Sequence, residues 1–188
     1  IDNYLYFVVN RDTDSLSTYR NVVYGLRKLY LLNECDHLHI SLPSIKRPQR
    51  LPVIFSKEEV RRLLKAPKQL RDRLLLGIIY DCGLRISEVA SLLIEDVNLD
   101  RRQLFVRQSK NKKDRYVPFS SHIARGVRNY LKIDRPQRFL FERNNPYKGI
   151  PLHHNRIRRI MKEAMQTAGI HKQACVHSLR HTYATHQL

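Results

Sequence analysis

The spacing of apolar residues changes character several times along this chain, and the changes mark its parts. In residues 18–30, Tyr19, Val22, Val23, Leu26, Leu29 and Tyr30 recur at i, i+3, i+4 intervals, the single stripe of an amphipathic helix, with Ser17 or Thr18 as its N-cap. Residues 42–52 then hold three prolines and three cations, Lys46, Arg47 and Arg50. Such a segment cannot continue a helix and should run extended. From Val53 the pattern restarts. Ser56 and Glu59 have the spacing of a capping box ahead of Val60, Leu63 and Leu64, which predicts a helix start. Residues 70–80 are apolar nearly all round, as expected of a central buried helix, and Gly83 predicts a left-handed cap behind it. Ile86, Val89, Leu92 and Leu93 predict a short amphipathic helix.

Beyond Asp96 the texture turns to strands. Residues 104–107 and 115–118 read as two strands around a basic hairpin tip at 108–114, with a third short strand near residues 96–99. Residues 120–134, 153–168 and 178–188 return to helix. The fold class expected is mainly α with a small antiparallel three-stranded sheet. The organisation expected is a partial helical domain at 1–41, a basic linker at 42–52 and a larger domain at 53–188. About forty residues are too few for an independent core, whereas 188 residues with 42% hydrophobic content suffice for one good core beside a small accessory unit.

Charge narrows the partners. Thirty-five Lys and Arg against 17 Asp and Glu leave a formal charge of +18, a field that attracts polyanions. Nucleic acid leads. An anionic membrane comes second, and no apolar run reaches the roughly 18 residues of a spanning helix. The chain opens Ile1-Asp2-Asn3-Tyr4, without a signal-peptide pattern and without a start Met, so both ends are expected to be cut from a longer protein. Cys35, Cys82 and Cys175 are odd in number, far apart and never in a C-x-x-C pair. That argues against a disulfide framework or zinc knuckle and for a reducing cytoplasm.

Four places concentrate candidate chemistry: Arg85 with Glu88 three residues on, Lys110 at the hairpin tip, and His177 and Arg180, which share a helix face at i, i+3. Two arginines converging on one phosphate would offer charged planar forks to its oxygens and stabilise the charge that builds at five-coordinate phosphorus. A lysine on a hairpin can protonate a departing oxygen, and an imidazole can take a proton from an attacking hydroxyl. The clustered carboxylates of a two-metal nuclease are missing, so neither a metal nor a cofactor is expected. His177 and His181 have an i, i+4 spacing that suits zinc, but no Glu follows the first histidine and no third ligand is evident. His181 is expected to have a supporting, structural role.

Gly83-Leu84-Arg85-Ile86-Ser87-Glu88, then Lys110-Asn111-Lys112-Lys113-Asp114-Arg115-Tyr116-Val117-Pro118, then His177-Ser178-Leu179-Arg180-His181-Thr182-Tyr183-Ala184-Thr185-His186 resemble, in order and separation, the successive signatures of tyrosine recombinases, the phage-integrase family. The resemblance runs from about Leu16 to the last residue. It implies a helical core-binding domain, a basic linker and a catalytic domain that together clamp duplex DNA. It also implies strand exchange through a covalent 3′-phosphotyrosyl intermediate without metal or ATP. Arg85 and Arg180 match the arginines that hold the scissile phosphate, Lys110 the general acid for the 5′-hydroxyl, His177 the histidine of the H-x-x-R motif, and Glu88 an acidic position that orients the site. Lys110 competes with Lys112 and Lys113 for its role, and counting back from Val117-Pro118 favours Lys110.

Lys46, Arg47 and Arg50 in the linker, and Arg107, Lys112, Lys113 and Arg115 around the hairpin, are read as contacts to the DNA backbone. The linker cations are equally open to an ordinary solvated reading. Arg156, Arg158, Arg159 and Lys162 form a basic helix, DNA-facing or merely solvated. The family places a second His or Trp, and then the nucleophilic Tyr, some tens of residues past the H-x-x-R motif, whereas eight residues follow Arg180 here. No position matches either element. Tyr183, four residues after Leu179, is expected to pack in the core. The expectation is therefore a truncated recombinase that binds duplex DNA without cleaving it alone, or a non-catalytic DNA-binding regulator or decayed recombinase. Expected partners are duplex DNA and, on it, further copies or a full-length recombinase, in a bacterial-type cytoplasm near the nucleoid. A general basic nucleic-acid binder would explain the charge but not the ordered motifs.

Overall fold

The computed structural model describes residues 16–34, 51–107, 113–144 and 146–187. The chain divides after Arg50 into two units. In the first, helix α1 spans Leu16–Leu32. It begins earlier than the capping signal suggested, so Ser17 and Thr18 lie inside its first turn. Val23 is buried, but Leu29, on the same expected stripe, is exposed. The described part of this unit is a single helix. Asn33 closes the helix by donating its side-chain N–H to the Leu29 carbonyl (2.8 Å).

In the second unit, α2 (Lys57–Lys65) starts at the capping box. Ser56 Oγ accepts from the Glu59 N–H (3.1 Å), and Glu59 Oε2 accepts from the Ser56 N–H (2.7 Å), which satisfies two donors the helix leaves orphaned. Helix α3 (Leu70–Cys82) is central. Leu75, Leu76, Ile78 and Ile79 are fully buried, each stabilising the fold by roughly 1.5–3 kcal/mol. A five-residue helix, α4, follows at Ile86–Ala90. It stops short of Leu92 and Leu93: Leu92 drops into the core, and Leu93 pairs with Phe139 in an isolated bridge.

After a 3-10 turn at Ile94–Asp96 come β1 (Val97–Asn98), β2 (Gln103–Val106) and β3 (Arg115–Pro118), antiparallel in the order β1-β2-β3. Leu104 faces Val117 and Phe105 faces Tyr116. Leu104, Val106 and Val117 therefore line the core, while the Phe105 and Tyr116 rings meet at 5.0 Å on the other face. Strand β2 ends at Val106, one residue early, because Arg107 turns back onto Asp96 and Glu95 (both 2.7 Å).

Helices α5 (Ser121–Asp134), α6 (His154–Thr167) and α7 (Val176–His186) complete the unit. Helix α7 starts two residues before Ser178, since Ser178 Oγ accepts the Cys175 N–H (3.1 Å) from within the first turn. The helices and the sheet's inner face enclose one continuous core. No helix of the described residues is long and apolar enough to cross a membrane.

Candidate active site

The site begins at a glycine. Gly83 ends α3 at φ 58°, ψ 34°, a conformation that L-residues with a Cβ adopt at a cost. The same position sits under the Tyr183 ring of α7, where an added Cβ would come within 2.6 Å of the ring. Both the backbone and the space therefore require glycine, and its bareness lets the α3–α4 turn press against α7. Across that contact Arg180 donates a hydrogen bond from Nη1 to the Gly83 carbonyl. The side chain of Arg180 is thereby held beside the turn from which Arg85 emerges.

Arg85 is organised by Glu88. Its backbone N–H donates to Glu88 Oε2 (2.8 Å) and its Nη1 to Glu88 Oε1 (2.8 Å), so one carboxylate caps α4 and fixes the guanidinium. The same carboxylate receives Arg115 from β3, Nη1 to Oε1 (3.0 Å) and Nη2 to Oε2 (2.9 Å). Glu88 is 7% exposed. Burial alone would raise its pKa, but the Arg115 fork and the backbone and side-chain donors of Arg85 outweigh that and hold it at about 2. Arg180 is pushed below the usual arginine range, first by burial and then by the neighbouring positive charges of Arg85 and Arg115, with Glu88 opposing. Two guanidiniums are thus bonded to one carboxylate, and the third, that of Arg180, is anchored beside them on the Gly83 carbonyl.

His177 occupies the first turn of α7, three residues before Arg180. Its ring meets the His181 ring edge-on at 5.2 Å and 89°. Burial, His181, Arg180 and Arg85 all push its pKa below the ordinary histidine value. At neutral pH it is an uncharged imidazole able to accept a proton.

Arg85, Glu88, Arg115 and Arg180 therefore come together, with His177 one helical turn from Arg180 on the same helix. Arg107 lies elsewhere: it is paired with Glu95 and Asp96 and lies over the Phe105 ring. Lys113 is exposed ahead of β3. Lys46, Arg47, Arg50, Lys110 and Lys112 lie outside the described residues. Tyr183 is half-buried against Gly83. Among the described residues, no three His, Cys, Asp or Glu side chains gather as a metal site would require.

Two features carried no sequence signal. Thr182, fully buried on α7, donates to the Ser178 carbonyl (2.8 Å) and accepts the N–H of Phe55 (3.0 Å), tying the start of the second unit to the helix that bears His177 and Arg180. A threonine bonding to the carbonyl four residues back is a common local habit, but a partner 127 residues away is not legible in a pattern. The second is an open cavity of about 700 Å³ at the start of α6, lined by Arg71, Arg143, Arg156 and Arg159 with His153 and Asn155. Arg156 is paired there with Asp72 (3.4 Å) and Glu163 (3.5 Å), whereas Arg158 is exposed and bonded to Asn155 (2.6 Å).

Residues 54–188 match the family model described as "Phage integrase family". Tyrosine recombinase XerA of Thermococcus kodakarensis is 36% identical over 171 residues, covering 89% of this chain and 60% of that protein. Its namesake from Pyrococcus furiosus is 35% identical over 180 residues, covering 93% of this chain and 61% of the relative. The chain spans about three fifths of the length of these curated relatives. Among solved structures, the crystal structure of XerA recombinase superposes with a TM-score of 0.67 at 26% identity, covering 99% of this chain and 67% of the other. The XerH recombinase in a post-cleavage complex with palindromic difH superposes with a TM-score of 0.78, covering 99% of this chain and 57% of the other. At 23% identity the XerH match is a likeness of fold.

Proposed function

The chain belongs to the phage integrase family of tyrosine recombinases, and from that premise we propose that it binds duplex DNA and holds one backbone phosphate for site-specific strand exchange. The observation that carries this reading is the pairing of Arg85 and Arg115 on Glu88 beside Arg180, which is anchored on the Gly83 carbonyl, with a neutral imidazole on the adjoining helical turn. Arg85 and Arg180 take the two non-bridging oxygens. Their charge is fixed at any working pH, so they stabilise the dianionic five-coordinate phosphorus more than the monoanionic diester.

In the forward step a tyrosine oxygen bonds to phosphorus as the bond to the 5′-oxygen breaks. The phenolic proton passes to His177 and a proton from Lys110 goes to the leaving 5′-hydroxyl. The phosphotyrosyl bond conserves the energy of the broken ester, so the reverse attack by a 5′-hydroxyl reseals a strand without ATP. On this reading the linker cations Lys46, Arg47 and Arg50, with Arg107, Lys112 and Lys113, neutralise flanking charge, and the helical unit and linker bind the same duplex. Assembly with further copies, in a cytoplasm where DNA is at hand, belongs to the same reading.

Tyr183 lies ring-down on Gly83 and Tyr80 keeps its hydroxyl on His186 Nδ1 (2.9 Å). On this reading neither supplies the attacking oxygen, and the chain alone holds DNA without joining to it. Incubation with a nicked duplex, followed by denaturing electrophoresis, tests this. Salt-sensitive binding with no covalent adduct is expected, and a protein–DNA adduct through Tyr183 would overturn the assignment.

A further inference from the structure

Arg115 begins β3 two residues after the exposed Lys113, yet its fork is engaged with a buried carboxylate. Its two terminal nitrogens meet the two oxygens of Glu88 at 3.0 and 2.9 Å, the parallel bidentate geometry that fixes both partners. Each of those oxygens also receives one donor of Arg85, the side chain on Oε1 and the backbone N–H on Oε2. The carboxylate is thus shared symmetrically between an arginine of the sheet and an arginine of the α3–α4 turn.

That sharing has a mechanical and an electrical consequence. Mechanically, the Arg115 fork sets the plane of the Glu88 carboxylate, and that plane sets where Arg85 can place its guanidinium. Electrically, Glu88 without the Arg115 fork would be a buried anion that draws more heavily on Arg85, and the guanidinium would be held to the acid rather than left to a phosphate. Arg180 also feels the charges of Arg85, Arg115 and Glu88. Loss of Arg115 would remove one positive charge from beside the phosphate.

We propose that Arg115 is a positioning residue of the phosphate site: it saturates Glu88, and thereby orients Arg85 and leaves that arginine's charge to the phosphate. The proposal rests on the reading of the site as a phosphate pocket. It differs from a role for Arg115 as a backbone-neutralising contact of its own, and from a clamp that only stabilises the fold.

The test uses the 188-residue chain and the duplex it selects from a randomised pool, with each phosphate replaced in turn by a neutral methylphosphonate. The native chain should lose affinity far more at one position than at its neighbours, and Arg180→Ala should abolish that penalty. Arg115→Gln should shrink the penalty at the same position by roughly tenfold, the weight of one charge-assisted bond, with flanking positions unchanged. Arg115→Lys, which keeps the charge and loses the fork, should restore part of it. Combining Arg115→Gln with Glu88→Gln should be no worse than Glu88→Gln alone, because the effect runs through the carboxylate. A thermal melt of each variant establishes that folded protein is being compared. A full penalty in folded Arg115→Gln would make the residue a structural clamp. A loss that adds to that of Glu88→Gln would make it a phosphate contact in its own right. Either result overturns the proposal and leaves the pocket standing. A scan with no position dependent on Arg180 removes the pocket and the proposal together.

Discussion

Glu88 and Glu142 are both buried carboxylates, 7% and 4% exposed, and both are held below the ordinary carboxylate range, but their donors differ in kind. Glu142 is held by backbone: Gln137, Arg138 and Phe139 offer it their N–H groups at 3.0, 2.6 and 2.9 Å. It closes the loop after α5 and has no side-chain cation among the donors that set its pKa. Glu88 is held by two guanidiniums and one backbone N–H, and the arginine side chains remain about a third exposed. A carboxylate knotted to peptide groups fixes a loop and is finished there. One knotted to arginines a third exposed fixes groups that still face solvent, as a binding site requires.

The hardest blow to this contrast is Glu142→Ala. It strips an acceptor from three backbone N–H groups and should lower stability by about 3 kcal/mol or more, measured by urea unfolding, while leaving the single-phosphate penalty intact. A lost penalty in folded Glu142→Ala would mean that the two acids are not separable. Acid unfolding should sharpen the other half. Folding lowers the Glu88 pKa from 4.5 to about 2, so its contribution is fully present above pH 4.5 and disappears as pH falls towards 2. That contribution is on the order of 3 kcal/mol. Native chain and Glu88→Gln should therefore differ most near neutrality and converge in acid. Parallel curves from pH 7 to 2 would show that the arginines do not hold the acid.

Gly83→Ala comes next. The left-handed backbone alone costs about 1–2 kcal/mol, the Tyr183 ring adds to it, and Arg180 should lose its carbonyl anchor. Both melting temperature and phosphate penalty should fall, and trimming the ring with Tyr183→Leu should recover part of the melting loss. Smallest of all should be Arg158→Ala on α6, which should reduce the salt slope of DNA binding by about one at most, uniformly over sequences. If Arg158→Ala and Arg180→Ala produced equal losses, the protein would be a general polyanion binder.

What was legible in the chain was what short-range rules govern. The Ser56–Glu59 box, the all-round apolar helix through Leu74–Leu75–Leu76 and Ile78–Ile79, the left-handed Gly83 and the alternation that buries Leu104, Val106 and Val117 each depend on neighbours within a turn or one hairpin. Errors gathered at ends, where a side chain reaches back across the cap: Ser178 inside α7, Arg107 folded off β2, and Leu92 and Leu93 past α4. Arg85, Glu88, His177 and Arg180 could be singled out because their motifs are local. That Arg115 completes the cluster was not legible. Twenty-seven residues separate it from Glu88, and among several hairpin cations nothing in the order of residues says which one turns inward. The Phe55–Thr182 contact was hidden for the same reason.

That last contact has a practical consequence for dissecting the protein. Phe55 puts its ring in the core and its N–H on a hydroxyl of α7, and the next residue already caps α2. A fragment begun at Leu51 retains the strap. One begun at Ser56 gives up a buried phenyl group, strips Thr182 of a donor, and loosens the helix that carries His177 and Arg180. The frontier of the smallest useful piece is therefore marked by one hydroxyl rather than by the first helical turn, and a boundary drawn from secondary structure alone would fall just past it.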